Sequence, residues 1–416
     1  MKINTKAVAS DAIRKNNIYR YSDAWWQKAL SFDHSLRLSE YCAKLVRGIF
    51  EELGIQARKE NLQNFQTLLA NLFYVRKNKP IRVSLSPNRW KQTRYTVAGA
   101  STINIIKQLE ELGYLKMKIG YNNKLNKIKS RDTRITPTEL LLQHIPKIDV
   151  AITKKPVELI ELRNEKEKLI PYKDNPFTIK LREKLELINH INEQFDIRFK
   201  NEKIYTYLVA IFKNNFDLYG RLHTKGYRHY QGFAESDRAE IIIDGDRVVE
   251  LDYSGLHPNL LYALEGCQLL GDPYSVVDER PEARPFLKLI LLAMLNAKDF
   301  TSAEQAANNW LYEKHNQREL LKPLGITRAR PLMEKFIEAH AKIAHHFCNG
   351  KETGLRVMNL DSKIALDVLT HFTENGIPIL AIHDSFIVQN QYKALLKKVM
   401  KQKYSKHANE FRITVK

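Results

Sequence analysis

The strongest constraint on this chain is a pair of β-branched runs, residues 241–243 and 248–249, joined through Asp244-Gly245. Asp-Gly between such runs specifies a tight hairpin, because both turn positions favour positive φ. Asp244 and Asp246 are therefore read as turn residues, and the second strand delivers Asp252 at its end. Ser254-Gly255-Leu256-His257-Pro258 then opens an apolar, helix-like run over residues 259–264. A carboxylate at a strand end, with a helix starting a few residues on, points into open space and suits a metal ion. A second one, Asp384, lies in residues 377–388, which read as strand, turn and strand with His383-Asp384-Ser385 at the tip. An acidic tip between buried strands needs a partner, and a cation shared with Asp252 supplies one.

The charge identifies the partner class. Across 416 residues, 67 Lys/Arg against 47 Asp/Glu give a net charge of +20, which favours a polyanion. Hydrophobic residues at 44% and aromatics at 10% argue for a folded chain with room for two or three domains. No apolar run approaches the roughly 18 residues that span a bilayer, and no basic amphipathic anchor stands out, so no membrane partner is expected. The first residues lack the apolar block of a signal peptide. Cys42, Cys267 and Cys348 share no metal-ligand spacing and are read as reduced thiols, so a cytoplasmic protein is expected.

In chain order, residues 1–60 read as a helical N-terminal segment, with apolar side chains spaced for a helix pair over 24–49. Residues 61–146 read as a winged helix-turn-helix. Its parts are a helix over 62–76, a strand over 81–85, a helix over 102–112 capped by Ser101 and ended by Gly113, and a basic wing hairpin reaching residue 135. The second helix carries Ile103, Ile106, Leu109 and Leu112 on one stripe. Residues 76–134 hold fifteen Lys/Arg against three Asp/Glu. Arg94, Lys107, Lys127, Lys129, Arg131 and Arg134 are the candidate DNA contacts, the helix for the major groove and the wing for phosphates. Thr133-Arg134-Ile135-Thr136-Pro137-Thr138 resembles the winged-helix domains of plasmid replication initiators. Residues 147–200 read as a linker and a thumb-like helix over 177–191, and residues 201–416 as the domain that carries chemistry. A helix is expected over 204–214.

Arg284 and Lys288 fall one turn apart on an apolar helix, with Pro285 in its first turn. An unpaired buried ammonium would cost several kcal/mol, so Lys288 must reach water or an anion. A guanidinium and an ammonium side by side at a helix N-terminus suit a polyphosphate.

Asp252-Tyr253-Ser254 after a strand, Arg284-xxx-Lys288 on a helix and His383-Asp384-Ser385 on a hairpin occur in that order. The set resembles family A DNA polymerases and the bacteriophage-type single-subunit RNA polymerases, over about the last 200 residues. The resemblance implies an α+β fold, a right-hand palm with an antiparallel sheet and reduced helical fingers. It implies two Mg2+ ions, or Mn2+, held by Asp252, Asp384 and the Tyr253 carbonyl. Nucleoside triphosphates would meet Arg284, Lys288, His257 and Asn296, and a DNA primer-template would meet Arg221, Gln231, His383 and Asp361. His257 stands where the DNA polymerases have glutamate and the RNA polymerases glycine. Ser385 stands where the DNA polymerases have glutamate. Asn296 and Ala297 replace a tyrosine and a glycine common to both families. The implied activity is template-directed DNA synthesis without proofreading. The alternatives are a single-subunit RNA polymerase or primase, and a replication initiator with an inactive palm. Protein partners are not indicated.

Overall fold

The computed structural model describes residues 28–38, 43–52, 54, 59–75, 79–86, 97, 99–120, 132–143, 152–154, 158–224, 229–313 and 315–416. The chain divides into two compact units, Met1–Glu158 and Leu159–Lys416.

The first unit contains β1 (Leu30–Ser31), β2 (Leu36–Leu38), α1 (Ala43–Glu52), α2 (Lys59–Val75), β3 (Ile81–Val83), α3 (Gly99–Glu111), β4 (Leu115–Lys118), β5 (Thr133–Pro137), α4 (Glu139–Leu142) and β6 (Ile152–Lys154). One sheet runs β1-β3-β5-β4, and β2 pairs separately with β6. Phe65, Leu68, Leu69 and Leu72 of α2 pack against Ile105, Ile106 and Leu109 of α3 and against Ile81, Leu115 and Ile135 of the sheet. Gly113 ends α3 at φ 79°, with the Tyr114 N–H reaching back to the Leu109 carbonyl.

Three expectations for this unit are corrected. Residues 30–38 form strands rather than part of a helix pair, because the Asp33 carboxylate accepts from the Ser35 N–H and hydroxyl and folds a turn there. Asn71 of α2 then clamps the Asp33 backbone on both sides. The second expected helix begins at Gly99, so Ser101 lies inside it rather than capping it. Leu112 is exposed, and Ile105 takes the core position instead.

The second unit opens with β7 (Ile160–Arg163), α5 (Pro176–Gln194), β8 (Ile197–Phe199), β9 (Glu202–Lys203), β10 (Leu208–Lys213), β11 (Asn215–Thr224) and α6 (Glu235–Arg238). The hairpin β12 (Ile242–Ile243) and β13 (Asp246–Asp252) follows, then α7 (Leu256–Leu264), α8 (Arg284–Asn296), α9 (Phe300–Glu313), α10 (His315–Leu321), α11 (Arg330–Ala339) and α12 (Thr353–Glu374). The end of the chain supplies β14 (Leu380–Ile382), β15 (Ser385–Gln389) and α13 (Lys393–His407). A six-stranded sheet runs β14-β15-β13-β12-β8-β9 and a three-stranded one β11-β10-β7. Strand alternation splits the core. Leu251, Tyr253, Phe386 and Val388 join the helices on one face, and Ile243, Leu380 and Ile387 meet Ile197 and Tyr230 on the other. Phe286, Leu287, Ile290, Leu291, Met294 and Leu295 anchor α8, each contributing about 1.5–3 kcal/mol by burial.

The helix expected over 204–214 is instead β10. It is the middle strand of its sheet, buried from Leu208 to Phe212, so it reads as a continuous apolar run without alternation. From Ile160 onward the expected linker also belongs to this unit. β7 pairs parallel with β10, while Leu181, Leu185 and Ile188 of α5 enter the core. Among the described residues, no helix is long and apolar enough to cross a membrane.

Candidate active site

The Asp-Gly hairpin forms as the sequence predicts: Asp244 and Gly245 take φ of 49° and 86°, and β12 pairs antiparallel with β13. On its other side β13 pairs with β15, Glu250 opposite Ile387 and Asp252 opposite Ser385. That register brings Asp252 beside Asp384, which occupies the β14–β15 turn with His383 at φ 56°. The Asp252 N–H and carbonyl both pair with Lys416, each at 3.0 Å. Backbone groups alternate along a strand, so the Tyr253 carbonyl points to the opposite edge, toward the turn that holds Asp384. The Tyr253 side chain turns into the core and donates to the Met400 carbonyl at 2.6 Å.

The two carboxylates have raised proton affinity. Asp252 keeps an exposed edge, yet the protein packed around it, then the charge of Asp384, push its pKa up to about 7, while Lys288 opposes the shift. Asp384 is raised by burial and by the charge of Asp361, with His257 and Arg221 acting the other way. These two carboxylates and the Tyr253 carbonyl offer oxygen donors, the kind that a hard cation such as Mg2+ takes. Asp252, Asp384 and the Tyr253 carbonyl therefore fit a divalent ion.

Beside them lies a buried ion cluster. Tyr219 and Gly220 adopt φ of 69° and 70°, and β11 bulges against β10 there. A Cβ on Gly220 would come within 2.9 Å of Asn359 and Ser362, so glycine lets β11 close on α12. The close approach brings the Arg221 guanidinium to 2.7 Å from Asp361, which is 1% exposed. His257 lies 3.2 Å from Arg221 and 3.6 Å from Asp361. His383, pushed down in pKa by burial, meets the His223 ring edge-on at 5.4 Å, and His223 in turn stacks on Tyr219.

The remaining sequence candidates divide. Lys288 is exposed, with its charge felt at Asp252. Arg284 donates to Asp272 at 2.6 Å and lies over the Tyr274 ring. Burial alone would raise Asp272, but Arg284 and the Tyr274 and Ser275 N–H groups hold its pKa down to about 2. The exposed Asn296 amide donates to the Leu292 carbonyl and fills the space a Cβ on Gly354 would need. The Gln231 amide is spent within the protein, accepting from the Thr224 N–H and donating to Ala381, so it ties β11 to β14. In the first unit Lys107 is exposed, while Arg134 is buried with its guanidinium donating to the Asp132 carbonyl. Arg94, Lys127, Lys129 and Arg131 lie outside the described residues.

Two neighbours of the site escape a sequence reading. Glu250 shares the face of Asp252 through the two-residue strand period, a signal that was available. It takes a two-point ion pair from Arg238 and the Ser385 hydroxyl at 2.6 Å. Buried Tyr274 feels both aspartates and Arg284. It sits after an Asp-Pro turn, and nothing in that local sequence points to the strand ends.

Asp252 binds its proton more tightly folded than unfolded. As pH rises from about 4 to about 7 the unfolded chain deprotonates first, so this group progressively destabilises the fold. Without divalent ions, the wild-type chain should lose order 1 kcal/mol relative to Asp252→Asn between pH 5 and pH 8, after solvent screening. Mg2+ should restore the wild type at pH 8 and leave the variant unmoved. Thermal unfolding at both pH values checks this, and a difference that does not change with pH contradicts it.

No family model matches the chain, and no curated protein does. Among solved structures, the POL domain of Pol1 from M. smegmatis in complex with DNA primer-template and dNTP is similar at 12% identity and a TM-score of 0.29. The match covers 90% of this chain and 65% of that chain.

Proposed function

We propose that the chain is a template-directed nucleotidyltransferase, a DNA polymerase of the family A type that extends a primer. The observation that supports this reading is the β13–β15 register, which pairs Asp252 with Ser385, the residue that follows Asp384. Two such carboxylates repel each other, and a divalent cation between them relieves the repulsion. Mg2+ bound there would acidify a primer 3′-hydroxyl and neutralise charge on the transferring and leaving phosphates.

The other side chains have roles that follow from their contacts. Lys288, on the exposed side of α8, would meet the triphosphate and give a proton to the departing pyrophosphate. Arg284 is held by Asp272 through Nη1, which leaves further guanidinium N–H groups for the outer phosphates. His383, braced against His223, would position the primer end beside Asp384. Arg221 and Asp361 neutralise each other and form the floor that fixes His257. A bulky His257 held in this way favours a deoxyribose over a ribose at the nucleotide position. In the first unit, Lys107 and the basic stretch 76–134 would bind duplex DNA in the manner of a winged helix.

Primer extension by purified protein with Mg2+ and separate dNTP and NTP pools tests the reading. Extension from dNTPs alone is expected; extension from NTPs would make the chain an RNA polymerase or primase. Activity with neither pool would leave a non-catalytic DNA-binding role. Lys288→Ala should lower kcat about a hundredfold with a small change in KM, read from single-nucleotide incorporation. An unchanged kcat would remove Lys288 from the chemistry.

A further inference from the structure

We propose that Glu265, His345 and His346 form a binding site for a transition-metal dication of the zinc class, separate from the Asp252–Asp384 pair. Their ligand atoms all lie within 4.8 Å of one another. Both imidazoles aim Nε2 at one oxygen, Glu265 Oε1, at 3.1 Å from His345 and 2.7 Å from His346. The two histidines are consecutive residues at the end of the short 3-10 helix Ala341–His346, and their ring centroids lie 4.2 Å apart.

The local electrostatics favour a cation. Glu265 caps the C-terminus of α7, where the helix dipole is already negative and a carboxylate is disfavoured unless it is neutralised. Among the described residues, its ion-pair partners are these two histidines.

The chemistry of the donors selects the ion. Two imidazole nitrogens and one carboxylate oxygen suit Zn2+, Ni2+ or Cu2+, whereas the all-oxygen pair at Asp252 and Asp384 suits Mg2+. A tetrahedral ion with bonds of about 2.0–2.1 Å needs donors about 3.3 Å apart, so the His345–Glu265 pair at 3.1 Å has to open by about 0.2 Å and the His346–Glu265 pair at 2.7 Å by about 0.6 Å. Each ring would shift its proton to Nδ1 so that Nε2 can ligate, and water would fill the fourth position. The ion would tie the far end of α7, the helix that starts beside Asp252, to the segment leading into α12.

The test uses the tag-free full chain, stripped with a chelator and titrated with Zn2+ by calorimetry and with Co2+ by visible absorption. One equivalent of Zn2+ should bind, with the intense spectrum of tetrahedral Co2+ and a rise in Tm at saturation. Excess Mg2+ should not compete. Glu265→Gln and His346→Asn should each weaken binding at least about tenfold, with an unchanged metal-free Tm as the control for folding. Asp384→Asn should bind Zn2+ like the wild type, so this outcome does not depend on polymerase activity. Absence of stoichiometric binding, or equal binding by both site variants, would overturn the proposal.

Discussion

Asp384→Asn is expected to lower primer extension about a thousandfold while leaving the chain folded. Removing one of two carboxylates from a shared metal site forfeits several kcal/mol of charge stabilisation, and each 1.36 kcal/mol is tenfold in rate. Asparagine keeps the shape of the turn and one carbonyl oxygen, so the β14–β15 hairpin has no reason to change. The raised proton affinity of Asp384 means that its charge works against the fold, not for it. The variant should therefore match or exceed the wild-type Tm in the absence of metal. Loss of activity together with a lower Tm would point to a structural role for Asp384 and against the catalytic one.

The second large effect concerns Arg221. Arg221→Ala should cost about 3–5 kcal/mol of stability, because it strands the Asp361 carboxylate, 1% exposed, without its guanidinium. Burial would raise the Asp361 pKa, but His257 and Arg221 together hold it below the usual range. A group depressed in this way stabilises the fold above its unfolded pKa, and the contribution is lost as pH falls through its folded value. In Arg221→Ala the stranded carboxyl has its pKa raised by burial, so the deficit relative to wild type should shrink as pH is lowered. Adding Asp361→Asn should recover much of the loss at neutral pH. Urea unfolding of the single and double variants measures both effects. A single-variant loss below about 1 kcal/mol would mean that the pair is not the buried anchor described.

The hairpin that delivers Asp252 was legible because two local signals, Asp-Gly and β-branched alternation, agree with the tertiary sheet. The strand-end settings of Asp252 and Asp384 were legible as well, although the register that pairs β13 with β15 depends on contacts about 130 residues apart in sequence. β10 was misread because burial on both faces erases the two-residue period. The strands at residues 30–38 were misread because the break between them is one Asp33 turn, clamped by Asn71 from another helix. The partners of Arg221 and Arg284 were also hidden, since no local rule pairs residue 221 with 361 or singles out Asp272 over other acids. Charged residues of this kind read as ligand contacts in a sequence, and the fold assigns part of each to a protein partner.

The central claim, that Asp252 and Asp384 share divalent ions, is tested most directly by electron paramagnetic resonance of Mn2+ bound with primer-template and a non-hydrolysable dNTP. The wild type should show an exchange-coupled pair of ions about 3.5–4 Å apart, and Asp384→Asn should lose the coupling. Two isolated Mn2+ signals in the wild type, or coupling that survives Asp384→Asn, would contradict the shared site.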